Sequence, residues 1–74
     1  MINLYDLNIF LANSGIANRI LDFDELDLSE LCVSSQTPDG PYYISYYYHY
    51  TQYKRLIPDD IIKKFLRSKK LESL

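Results

Sequence analysis

Seven of the chain's eight tyrosines fall within twelve residues, Tyr42 to Tyr53, in a stretch bounded by Pro41 and Pro58. Any fold must therefore place seven large rings carried by one short piece of backbone. Tyr has high strand propensity because its ring packs well on a pleated surface. In one extended strand side chains alternate, so Tyr42, Ile44, Tyr46, Tyr48 and Tyr50 share one face, and Tyr43, Ser45, Tyr47, His49, Thr51 and Tyr53 the other. Both faces are then aromatic. The competing solution is a helix between the two prolines, with Tyr43, Tyr46, Tyr50, Tyr53 and Ile57 spaced 3, 4, 3 and 4 apart. Length favours the helix, since strands average about five to six residues. Propensity favours the strand, broken near Thr51, and that is the reading adopted.

The flanking segments are built around this one. Leu4, Leu7 and Leu11, widened by Ile9 and Phe10, predict a helix over Ile2 to Ser14, with Asn3 as its cap and Gly15 ending it in the left-handed conformation. From Ile16 to Val33 the apolar parity shifts twice, so no single straight strand fits. One reading puts a strand over Arg19 to Phe23, an acidic turn, and a second strand ending in Leu31, Cys32 and Val33. Its rival opens a short helix at Asp27, with Glu30 three residues on in capping-box spacing. Ser34 to Pro41 is a reversal: Pro38 presets φ, Asp39 bonds its own backbone and Gly40 accepts positive φ. This predicts a long-looped hairpin to the tyrosine segment. After Pro58, Asp59 and Asp60 suit the positive end of a helix dipole and Lys63, Lys64, Arg67, Lys69 and Lys70 its negative end. Ile61, Ile62, Phe65 and Leu66 are its docking stripe, and Glu72, Ser73 and Leu74 are expected to fray. The expected architecture is a single α+β domain over residues 1–74: N-terminal helix, small antiparallel sheet with the tyrosine-rich strand, C-terminal basic helix. The alternative is all-α.

Composition narrows the chemistry. A 74-residue chain hides only about 60% of the surface its unfolded form exposes, so few apolar residues are left over for a deep pocket. The lone Cys32, set between Leu31 and Val33, reads as a small buried apolar residue, and it has no partner for an intramolecular disulfide. With no signal-peptide pattern and no apolar run near the roughly 20 residues that cross a bilayer, a cytoplasmic protein without membrane contact is expected. His49 is the only histidine, so paired-histidine metal sites and a histidine-based catalytic constellation lack members. Two glycines, Gly15 and Gly40, cannot build a phosphate loop. The acids from Asp22 to Glu30 invite a calcium-loop comparison, but the sixth and twelfth positions, counted from Asp22, are Asp27 and Val33 rather than Gly and an acid. If those five acids share one face, they also suit mimicry of nucleic-acid phosphates. No enzyme activity and no cofactor are expected.

Charge is unevenly divided. Residues 1 to 40 hold seven acids and one base, net −6, whereas residues 41 to 74 hold seven bases and three acids, net +4. Seven rings exceed what one buried face requires, so some should stand in water with their hydroxyls free unless terminal helices cover one sheet face each. Tyr offers wide contact area at small conformational cost, which enriches it in binding surfaces. The expected function is a non-enzymatic protein-binding module: a stoichiometric inhibitor or regulator of a larger protein, of the kind phages and mobile elements carry, or a self-associating chain. The expected contact residues are Tyr43, Tyr47, His49, Tyr53, Lys54, Arg55, Lys63 and Arg67. The alternative is single-stranded nucleic-acid binding, with bases stacked on Tyr43, Tyr47 and Tyr53 and phosphates followed by Lys54, Arg55 and the basic helix.

Overall fold

Asn3 turns the chain into its first helix, accepting hydrogen bonds through its side-chain oxygen from the backbone N–H of Tyr5 at 2.9 Å and Asp6 at 3.2 Å. Helix α1 then runs Leu4–Asn13 in this computed structural model, which describes residues 2–72. Gly15, at φ +77°, makes the left-handed link that α1 needs to double back into α2, Ile16–Leu21. The strand expected over Arg19 to Phe23 is therefore not formed. Ile16, Ala17 and Leu21 are buried with Ile20 half-buried, a helical one-sided pattern to which strand parity does not apply, and Asp22 closes the helix at φ +62°. Asp27 caps a single 3-10 turn, Leu28–Glu30, so the capping spacing marks a helical turn, shorter than the helix it suggested.

The turn leads directly into β1, Leu31–Ser35, followed by β2, Tyr42–Tyr48, and β3, Thr51–Leu56. The three strands form an antiparallel meander in the order β1-β2-β3, with Val33 opposite Ile44 and Tyr46 opposite both Leu31 and Tyr53. The fold is α+β, and the all-α alternative does not hold. The reversal before β2 contains a cis Gly40–Pro41 peptide, a Thr37 hydroxyl donating to Gly40 O, and the Tyr42 hydroxyl donating to Pro38 O at 2.8 Å. Gly40, at φ +106°, lies so close to the Tyr42 ring that a Cβ there would meet it at 3.1 Å.

After Pro58, α3 runs Asp59–Glu72. Ser73 and Leu74, expected to fray, lie outside the described residues, whereas Glu72, expected to fray with them, is part of α3. Ile62 and Phe65 bury themselves while Leu66 stays 48% exposed, so the docking stripe is narrower than its sequence pattern. Phe65 meets Phe10 with ring centroids 5.4 Å apart, and Lys69 pairs with Asp6 at 3.0 Å, fastening α3 to α1. Ile9, expected to widen the α1 stripe, is exposed.

The core is the space between this helical layer and one face of the sheet. Leu7, Leu11, Ile16, Ala17, Leu21, Ile62 and Phe65 meet Leu31, Val33, Tyr42, Ile44 and Tyr46 there, joined by Ile57. Leu7, Leu11 and Ile44 are completely buried. Truncating any of these three to Ala costs about 2–5 kcal/mol, from lost burial plus the cavity left behind. Since α1 packs over β1, α2 over β3 and α3 against α1, the helices share one face of the sheet and the opposite face carries none. No helix among the described residues is long and apolar enough to cross a membrane.

Candidate functional site

Alternation along the strands assigns Cys32, Ser34, Tyr43, Ser45, Tyr47, Gln52, Lys54 and Leu56 to the uncovered face. Cys32 is thus exposed rather than buried: strand parity turns it away from Leu31 and Val33. At the centre of this face Ser45 is only 8% exposed, flanked by Tyr43 and Tyr47 along β2 and by Cys32 and Lys54 across it. Its hydroxyl donates to Cys32 O at 3.4 Å. The Lys54 ammonium sits 4.9 Å from the centre of the Tyr43 ring, a cation–π contact that holds both side chains over the sheet. Tyr47 and Leu56, each more than half exposed, complete an aromatic and aliphatic surface with one cation in it.

The tyrosine segment is two strands rather than one. It breaks at His49-Tyr50, just ahead of Thr51, and both residues have positive φ, +49° and +64°, while Tyr48 pairs with Thr51. Two central residues in that conformation are the signature of a type I′ hairpin turn, whose twist matches the strands and whose second position ordinarily belongs to Gly. The break reverses the alternation expected beyond Tyr48. Tyr53 faces the helical side with Tyr46 instead of joining Tyr43 and Tyr47, because the turn inserts two residues and folds β3 back on β2. Phe23 lies beneath the hairpin and takes Tyr46, Tyr48 and Tyr53 on its ring, each at a centroid distance of 5.2 Å and each tilted edge-on. Of the seven clustered tyrosines, Tyr42 and Tyr46 are buried, Tyr43 and Tyr53 half-buried, and Tyr47, Tyr48 and Tyr50 exposed.

Strand β2 overshoots β1, since Leu31 pairs with Tyr46 and no β1 residue reaches Tyr47 or Tyr48. The projecting hairpin and the 3-10 turn enclose a groove of about 580 Å³ lined by Asp27, Glu30, Tyr47, Tyr48, His49 and Tyr50, with Tyr46 at its floor. Tyr46 is fixed there: its hydroxyl accepts the Asp27 N–H at 2.8 Å. The Ser29 hydroxyl, at 2.7 Å, and the Ser29 N–H, at 3.1 Å, both donate to Asp27 Oδ1 and hold its carboxyl below the usual aspartate value. The His49 ring stands edge-on to Tyr48 with centroids 4.1 Å apart.

The expected contact residues therefore do not form one surface. Tyr43, Tyr47 and Lys54 meet on the open face, and His49 stands at the hairpin tip. Tyr53 is spent on Phe23. Arg55, opposite Ile44, belongs by alternation to the helical side, where it is exposed on an edge strand and donates to Lys54 O at 3.0 Å. Lys63 and Arg67 are exposed on α3, in the helical layer, away from the open face. Four residues that line these surfaces were not among those expected: Leu56, Tyr50, Asp27 and Glu30. Leu56 follows from hairpin register once the break is known. Tyr50 and the pair Asp27 and Glu30 are brought together only by the tertiary fold. Among the described residues no group of three or more His, Cys, Asp or Glu is arranged to hold a metal ion.

No protein-family profile matches the chain, and no curated protein or solved structure is significantly similar to it.

Proposed function

We propose that the chain is a non-enzymatic, stoichiometric protein-binding module of the cytoplasm, an inhibitor or regulator that docks on a larger protein through its uncovered sheet face and hairpin tip. The observation that carries this reading is the set Tyr43, Tyr47 and Leu56, more than half exposed or stacked under Lys54 on the side of the sheet that no helix covers, with the fully exposed Tyr50 at the adjoining hairpin tip. An aromatic centre with a polar rim is the usual anatomy of a binding hot spot. The same placement weighs against single-stranded nucleic acid, because the basic helix residues needed to follow phosphates lie in the other layer and Asp27 and Glu30 stand beside the exposed rings.

The test compares the wild type with Tyr43→Ser/Tyr47→Ser in affinity capture from nuclease-treated lysate, followed by a binding titration with the purified protein so found. The double variant should lose that protein while still unfolding in one cooperative transition above the assay temperature, at a cost of about 1–2 kcal/mol because both are strand residues and Tyr43 is half-buried. Capture of the same protein by the folded variant would refute the reading.

A further inference from the structure

The hairpin-tip groove adjoins the open face and shares Tyr47 with it, but its chemistry differs. It combines two carboxylates, Asp27 and Glu30, with the rings of Tyr47, Tyr48, His49 and Tyr50, and no Lys or Arg lines it. A carboxylate beside an aromatic face suits a cation with an apolar, planar aspect. Guanidinium offers a forked set of donors for the carboxylate and a flat surface for the ring, more strongly than ammonium on both counts.

The backbone gives a second, independent reason to regard the tip as a contact. His is among the residues that tolerate positive φ, but a bulky ring at φ +64° is an outlier. The Tyr50 side chain is fully exposed, so the fold gains no packing from it in return. A strained residue that contributes nothing to the interior is the pattern seen where the strain serves a contact outside the molecule.

We propose that this groove receives an arginine side chain from a basic segment of the protein partner, stacked on the hairpin-tip tyrosines and paired with Glu30 and Asp27. This rests on the protein-docking reading above and names the partner's chemistry. Charge complementarity is local and regional: the groove is built partly from the half of the chain whose net charge is −6. Asp27 is already oriented by Ser29, which leaves Glu30 as the carboxylate without a structural duty in the turn.

The experiment is a two-dimensional amide NMR titration of the full chain at low salt with three unstructured Gly/Ser peptides of equal length, carrying three arginines, three lysines or three citrullines. Citrulline keeps the planar shape and removes the charge. The arginine peptide should shift the amides of Glu30 and Tyr47 to Tyr50, with the lysine peptide weaker and the citrulline peptide weaker by about tenfold or more, a difference of roughly 1.4 kcal/mol. Glu30→Gln and Tyr50→Ala should each weaken arginine binding several-fold without lowering the melting temperature. Equal binding of arginine and citrulline peptides, no shifts at millimolar arginine peptide, or unchanged binding in both variants would overturn the proposal. So would shifts of these amides that grow with the protein's own concentration, because a second copy would then fill the groove. If the arginine peptide fails while Tyr43→Ser/Tyr47→Ser still abolishes capture of the protein partner, only the groove assignment falls. If both fail, the docking reading falls with it.

Discussion

Replacing Tyr50 by Gly should make the protein more stable, although the substitution deletes a tyrosine. At φ +64° a residue with a Cβ carries roughly 1–2 kcal/mol of steric strain that Gly does not. Against this, Gly frees the unfolded chain and costs about 0.5–1 kcal/mol. No packing is lost, because the ring is fully exposed. Taking the middle of each range leaves a gain of about 0.75 kcal/mol, and at about 4–8 °C per kcal/mol for a domain of this size the melting temperature should rise by about 3–6 °C. Circular dichroism melts of wild type, Tyr50→Gly and Tyr50→Ala check it. Ala keeps the Cβ and the strain, so it should melt close to the wild type, which separates backbone relief from removal of the ring. Equal melting temperatures for Gly and Ala, or a fall with Gly, would refute the claim that strain is stored at this turn. Binding should move the other way, both variants losing affinity for the protein partner.

Phe23→Ala removes the ring that three tyrosines meet edge-on and should destabilise the fold by about 3 kcal/mol, with faster amide hydrogen exchange across residues 46–53. Asn3→Ala leaves the Tyr5 and Asp6 amides without their cap and should cost about 1 kcal/mol in denaturant titrations. Because the Asp27 carboxyl is held below its usual value by Ser29, its contribution to stability is complete above the ordinary aspartate range and is lost as pH falls through the lowered folded value. In an NMR pH titration, Ser29→Ala should move the Asp27 midpoint upward, since the hydroxyl bond is the larger of the two causes. Titration with single-stranded oligonucleotide should give no binding whose logarithm falls with the logarithm of salt, for want of cations gathered on the aromatic face.

Much of the fold was legible in the sequence because local signals and core pattern agree there. Asn3, Gly15 and Pro58 mark the ends of helices with residues chosen for caps and turns, and Leu7 with Leu11, or Ile62 with Phe65, recur at helical spacing. The Pro38–Pro41 reversal was equally plain. The His49-Tyr50 turn was not, because a type I′ turn is normally announced by Asn-Gly or Asp-Gly, and here two ring-bearing residues occupy its centre. A break near Thr51 was expected, but not as a two-residue turn, and that misplaced the β3 residues. Without it Tyr53 belongs with Tyr43 and Tyr47; with it β3 folds back, Tyr53 descends onto Phe23 and Leu56 rises beside Tyr43. Cys32 was misjudged for a related reason: apolar neighbours suggest burial, but strand parity points successive residues to opposite faces.

The site was harder to read than the fold because its parts are joined by the sheet rather than by sequence proximity. Asp27 and Glu30 precede the tyrosines by some twenty residues, and only the pairing of Leu31 with Tyr46 sets them against the projecting hairpin. Two members of the acidic run, Asp27 and Glu30, thus have the hairpin rings as neighbours. The tyrosines in turn divide by task. Tyr42 and Tyr46 fill the core and anchor loops through their hydroxyls, Tyr48 and Tyr53 brace Phe23, Tyr43 lies half-buried under Lys54, and Tyr47 and Tyr50 are the rings the fold uses least. A chain this small has few large side chains to leave uncovered. Tyr50 in addition holds a positive-φ turn position that suits Gly while its ring packs on nothing, so its presence adds no stability, and in the proposed docking the hairpin tip is where its loss should be felt most.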